Sequence, residues 1–202
     1  HSGCVHTVPD DFAEIGQAIA VAQPGDTVLI RPGVYEENLV LSKNVNLRGT
    51  SDTRDVIVVS GDKPALSCRG QSRVTNLTFV VEETEESYHV VVVSAGRLDL
   101  AYCDVQGGVS GLFVTDGGQA SLHKCAVHHC QETCVSVANN GRVRMEETEI
   151  HGGMVGVLLS GANTTGTLRG NNIHDCETDG VQVECGASIQ LEENYIHDNN
   201  IH

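Results

Sequence analysis

Four histidines, His128, His151, His174 and His197, recur 23 residues apart, and Gln106 holds the equivalent place one repeat earlier. If the repeats stack, such equivalent side chains come to about 4.8 Å apart, the spacing of neighbouring strands. A row of imidazoles could hold a metal or present a surface whose charge changes near neutral pH. The plainer reading is structural: a polar residue must follow each inward one, and imidazoles stack tolerably along a ladder. Identical neighbours in such a row resist simultaneous protonation. The next column carries Asp175 and Asp198, with His129 two repeats before Asp175. Two carboxylates one turn apart approach the roughly 5 Å separation that retaining glycoside cleavage uses. An Asp at a strand end also caps a turn through its own side chain, and no Arg or Lys shares these columns to hold an acidic sugar. Catalytic residues are therefore expected to be absent, with Asp175 and Asp198 as the acids of a rival reading.

The group His128, His129 and Cys130, with Cys125 and Cys134, is the one place where zinc ligands cluster in sequence. Zinc sites usually pair short Cys spacings across a loop. Here Cys125 falls in an inward column, and Cys134 replaces the glycine of Gly111, Gly156 and Gly180. No metal and no cofactor is expected. The acidic run Glu82, Glu83, Glu85, Glu86 is the one excursion from a regular repeat and a natural place for a partner to grip. Together with His128, His151, His174 and His197 it forms the expected binding set.

What positions these residues is a repeat of about 22–24 residues over the C-terminal two-thirds of the chain. Each copy carries a large apolar residue (Leu100, Leu122, Met145, Leu168, Leu191) and, three on, a small or amide residue (Cys103, Cys125, Thr148, Asn171, Asn194). Two further on comes a β-branched one (Val105, Val127, Ile150, Ile173, Ile196). So short a unit, rich in β-formers and turns, buries its apolar face only by stacking on copies of itself. The expected fold is all-β: a single-stranded right-handed parallel β-helix with three short strands per turn. Residues 27–202 form its repeats. Residues 1–26 form an N-terminal segment with a capping helix from Phe12 to Ala22, started by Asp10 or Asp11. A break inside a repeat at the C-terminus suggests a fragment of a longer protein.

Composition narrows the partners. The net charge is −15, tryptophan is absent and aromatics make up 3% of the chain. Nucleic acid and anionic membranes are disfavoured, because phosphate binding needs clustered Lys and Arg and no such cluster stands out along the chain. A protein partner of basic character fits the charge, with a glycan as the alternative. The eight cysteines show no pairing logic, which points to free thiols and an intracellular compartment, cytoplasm or nucleus. The sequons Asn76-Leu77-Thr78 and Asn163-Thr164-Thr165 argue for the secreted alternative.

The stretch Thr7-Val8-Pro9, Pro24-Gly25-Asp26-Thr27-Val28, Pro32-Gly33-Val34-Tyr35-Glu36-Glu37 and Val45-Asn46-Leu47-Arg48-Gly49 resembles the opening of pectin-lyase-like parallel β-helix proteins. The units from Asn172 to Cys176 and Asn194 to Asn199 resemble carbohydrate-binding and sugar-hydrolase repeats, above all those of β-helix F-box proteins and Shc-binding, Nessun Dorma-like proteins. The resemblance covers nearly the whole chain. It implies the fold and, for function, a non-catalytic module that recruits substrates for ubiquitination or acts as a scaffold. The rival is a glycan-binding or polysaccharide-acting β-helix of the lyase or hydrolase class. The paired Asp motifs of polygalacturonases and the Gln/Asp/Arg set of pectin esterases find no residue-by-residue match. The expectation is accordingly a non-enzyme.

Overall fold

A computed structural model describes residues 3–83, 86 and 88–201. The chain winds as a right-handed parallel β-helix in which each turn gives one strand to each of three sheets. A nine-stranded sheet runs from Val5–Val8 and Thr27–Ile30 to Ser188–Glu192, an eight-stranded sheet from Gly33–Glu36 to Tyr195–His197, and a seven-stranded sheet from Leu39–Leu41 to Val181–Glu184. All pairings are parallel and in register from rung to rung, which puts like residues in columns.

The strand pattern explains the winding. Arg142–Glu146 alternates exposed and buried positions, and its inward Val143 and Met145 stack between Ala120 and Leu122 below and Gly166 and Leu168 above. The β-branched column behaves as its spacing implies: Val105, Val127, Ile150 and Ile173 are fully buried, whereas Ile196 on the last rung is 37% exposed because no described rung covers it. Pairing the strand backbones with the rungs above and below meets the hydrogen bonds that so narrow a core would otherwise leave unmet.

The turn between the nine- and eight-stranded sheets is held by an amide ladder. Asn171 Oδ1 accepts from the Thr148 amide at 2.9 Å, and Asn194 Oδ1 accepts from the Asn171 amide at 2.9 Å. Each side chain also donates downward, Asn171 to the Met145 carbonyl at 3.0 Å and Asn194 to the Leu168 carbonyl at 2.8 Å. Cys103 and Cys125 occupy the same column lower down, buried and unpaired. All eight cysteines are free, and only Cys4 and Cys185 are exposed.

The N-terminus departs from expectation. Val5–Val8 is already a strand, paired with Thr27–Ile30, so the sheet begins before the helix. The helix spans Ile15–Val21 and buries Ile15, Ala18 and Ile19. Neither Asp10 nor Asp11 starts it. Asp11 accepts from the Thr7 amide at 2.9 Å, and Asp10 pairs with Arg31 at 2.8 Å. Instead the carboxylate of Glu37, from the next turn, accepts from the amides of Ile15 and Gly16 at 2.9 and 2.8 Å. A carboxylate there satisfies two otherwise orphaned amides and complements the helix dipole.

Candidate functional site

The histidine row forms as the spacing implies. His128, His151, His174 and His197 stack on the outer face of the eight-stranded sheet, with ring centres 5.0, 5.0 and 5.2 Å apart and planes within 15° of parallel. Tyr195 continues the stack against His197 at 3.9 Å. Parallel planes aim the ring nitrogens along parallel lines, so their lone pairs do not converge on one point. Among the described residues no group of three or more His, Cys, Asp or Glu is placed to hold a metal.

Carboxylates meet the rings of His128, His174 and His197, and the other ring nitrogen of His128 meets His129. His128 Nε2 lies 2.9 Å from Asp104, and His174 lies between Glu149, at 2.9 Å, and Asp175. His197 lies between Asn172, at 2.8 Å, and Asp198, at 2.7 Å. The rung below His151 carries Ala126 at the position where the neighbouring rungs carry Asp104, Glu149 and Asn172, and among the described residues no carboxylate is hydrogen-bonded to His151. Burial holds the His151 pKa below the ordinary histidine value, and the neighbouring His128 and His174 add to the effect. For His174 burial acts downward too, but the hydrogen bonds to Asp175 and Glu149 outweigh it and the net shift is upward. Within the row, neighbouring His151 and His174 thus alternate in sign, one resisting a proton and the other taking it more readily.

The two expected acids sit at left-handed corners after this sheet, Asp175 at φ 52° and Asp198 at φ 54°. Neither caps a turn amide; each is tied to the histidine before it. The hydrogen bond from His174 holds the Asp175 carboxyl below its ordinary pKa. A general acid for glycoside cleavage needs the opposite, a raised carboxyl. Of the acidic run, Glu82 and Glu83 are exposed beyond the strand Thr78–Val81, and Glu86 accepts from the Tyr88 hydroxyl. Glu85 lies outside the described residues.

The concave surface of the molecule lies elsewhere, on the outer face of the nine-stranded sheet. Three cavities run end to end there. One of about 360 Å³ includes Arg73, Arg97, Tyr102, Ser121 and His123. It shares Arg97 and Ser121 with one of about 210 Å³ that adds Gln119, Arg142 and Arg144. The last, of about 450 Å³, continues over Thr165, Thr167, Ser188 and Gln190. The residues come from successive rungs: Arg97, Gln119, Arg142, Thr165 and Ser188 form one column, and Arg73, Asp99, Ser121, Arg144, Thr167 and Gln190 form the next. Arg48, Arg73, Arg97, Arg142, Arg144 and Arg169 all project from this one face, half of the 12 Lys and Arg in the chain.

A reading along the chain missed this cluster because, apart from Arg142 and Arg144 on one strand, its members stand a full turn or more apart. The signal was present. Each of these arginines from Arg73 onward occupies a polar position of the strand preceding the Cys/Thr/Asn column. In three dimensions the clustered arginines that the sequence appeared to lack are there.

The profile of right-handed β-helix regions matches residues 64–202. No curated protein matches the sequence. Among solved structures, pectin methylesterase PemA from Erwinia chrysanthemi superposes with a TM-score of 0.65 at 12% identity, over 90% of this chain and 66% of that one. The pectin methylesterase from Aspergillus niger gives 0.65 at 14%, over 96% of this chain and 85% of that one. A pectin methylesterase in complex with a hexasaccharide gives 0.63 at 13%, over 91% and 67%. At such identities the likeness is one of fold. The finding corrects the expectation of a non-catalytic, F-box-type module for a protein partner: the structures on which the chain superposes here are pectin methylesterases. By the match over residues 64–202, and by a fold consistent with it, the chain belongs to the right-handed β-helix region family.

Proposed function

We propose that this β-helix engages a glycan, holding an oligosaccharide along the outer face of its nine-stranded sheet. The observation that carries the reading is the row of three joined cavities. It crosses six strands, from Gln71–Thr75 to Ser188–Glu192. At about 4.8 Å per rung the row is about 24 Å long. Its walls are Gln, Ser, Thr and Arg side chains, the donors and acceptors that sugar hydroxyls use, and Tyr102 offers a ring 49% exposed at one end. A long, open groove suits a linear chain better than a compact metabolite, which asks for an enclosed pocket.

The structural likeness to pectin methylesterases supports a polysaccharide as the class of ligand. Cleavage through Asp175 and Asp198 gains no such support. Both lie on another face, outside all three cavities, and the hydrogen bond from His174 keeps Asp175 in its charged form. Calorimetric titration with a panel of plant, algal and animal oligosaccharides tests the reading. At least one should bind saturably, and Thr167→Trp, which fills the largest cavity from an exposed position, should abolish that binding while leaving the melting temperature unchanged. No binding across the panel would contradict it.

A further inference from the structure

We infer that Cys103 and Cys125 form a site of oxidative modification, at which hydrogen peroxide closes a disulfide between two consecutive rungs. The two cysteines directly precede Asp104 and Ala126, which pair with each other, so they stand in one column one rung apart. That puts their Cα atoms about 4.8 Å apart. A disulfide spans Cα atoms about 4.4–6.8 Å apart. The sulfurs adjoin as well. Cys125 Sγ leans toward the rung of Cys103, 3.5 Å from the Leu100 carbonyl, and the Cys103 thiol and amide both donate to it. Two rungs above Cys125 the same corner is held without sulfur, by Asn171 Oδ1 accepting from the Thr148 amide. Thr148 itself fills the column at 1% exposure. Packing and hydrogen bonding at this corner therefore need no thiol, and what two adjacent cysteines add is redox chemistry.

The two thiols differ in kind. Burial pushes Cys103 well up, whereas the hydrogen bond from Cys103 pulls Cys125 down against its own burial. Of the buried thiols whose pKa is shifted, Cys125 alone moves down. Burial raises Cys68 and Cys176 to about 11, and the neighbouring Cys130 thiol raises Cys134. The thiolate is the reactive form, so Cys125 is the nucleophile. Its sulfur attacks one oxygen of the peroxide, the O–O bond breaks, and a sulfenic acid forms as hydroxide leaves. The Cys103 sulfur then attacks the Cys125 sulfur, the S–O bond breaks, and the Cys103 proton departs with the hydroxyl as water. Overall the two thiols lose two electrons and two protons, and one hydrogen peroxide becomes two waters. Cys103 is 2% and Cys125 5% exposed, which suits so small an oxidant better than a bulky disulfide. A solenoid is held by the interfaces between neighbouring rungs, and a covalent bond across one of them braces it. Tyr102 directly precedes Cys103, so the braced corner is the one that carries this ring at the end of the row of cavities.

Cys4→Ser with Cys185→Ser removes the two exposed thiols, and with them links between molecules. This protein, reduced and then freed of reductant, is treated with hydrogen peroxide while folded. Its free thiols are then alkylated in denaturant, and its peptides are mapped by mass spectrometry without reduction. The six thiols that remain of eight should fall to four, with Cys103 joined to Cys125, and dithiothreitol should restore all six. The linked protein should melt at a higher temperature than the reduced one, because the bond restricts the unfolded chain. Adding Cys103→Ser should leave Cys125 as a sulfenic acid that dimedone traps, while Cys125→Ser should leave Cys103 unreacted. The peptide map needs neither of these core variants, so it decides the matter even where one of them fails to fold. Cys130 and Cys134, the other pair of neighbouring thiols, serve as the internal comparison. A count that stays at six, a link between Cys130 and Cys134 with Cys103 and Cys125 still free, or a Cys103–Cys125 link that forms only in denaturant would overturn the inference.

Discussion

Arg97 and Arg142 occupy one outward column of the nine-stranded sheet with a single rung, that of Gln119, between them. Both open their strands at the same point of the turn, two turns apart, so the separation is set by the helix and not by side-chain choice. Such a face is built cheaply in a solenoid. The inward columns fix the register, and every outward position is then free to vary without disturbing the core.

The core column sets the first test. Ile150 is fully buried between Val127 and Ile173. Ile150→Asp would place a carboxylate in a dry interior with no partner and should cost several kcal/mol or prevent folding, whereas Ile150→Val should cost about 1 kcal/mol. Thermal melts of the two variants check this. An Asp variant melting with the parent would mean that the register is wrong.

The amide ladder sets the second. Asn171→Ala leaves the Thr148 amide and the Met145 carbonyl without their partners in a buried turn. A loss of about 1–3 kcal/mol follows for each buried group left unmet. Asn194, on the last rung, makes as many side-chain hydrogen bonds but is only half-buried, so water can replace its bonds and Asn194→Ala should cost less. Urea denaturation of both variants measures the order, and equal or reversed costs would contradict the ladder's role.

The histidine row predicts split titrations. By imidazole NMR, His174 should take its proton at higher pH than His151, and Glu149→Gln should lower the His174 midpoint. The signs for stability are opposite. The raised His174 pKa contributes stability that is complete below the unfolded value of about 6.5 and is lost as pH rises through the folded one. The lowered His151 pKa removes stability as pH falls below about 6.5, because the unfolded chain then binds the proton more readily. Coincident midpoints for the two rings would refute the alternation.

How much of this could be read along the chain follows from what each feature depends on. The inward columns were legible because burial leaves one kind of residue at one spacing, as in Val105 to Ile196. The histidine row was legible for the same reason, four identical residues at a constant interval. What each imidazole meets was not, since Glu149 and Asp104 reach diagonally across columns to the rung above. The first strand was missed because Val5–Val8 carries only one fully buried residue, Val8, and pairs on one side alone. The arginine face was missed because its members are scattered over five turns and lie in three columns, with residues of other types between them. Only the pairing register shows that they adjoin.

The central claim is that a glycan lies on the nine-stranded sheet. Backbone amide shift mapping during titration with the tightest-binding oligosaccharide tests it most directly. Changes should concentrate on the outward residues Arg97, Gln119, Ser121, Arg142, Arg144 and Thr167. Changes centred instead on His128 to His197 with Asp175 and Asp198, or on the seven-stranded sheet, would contradict the account.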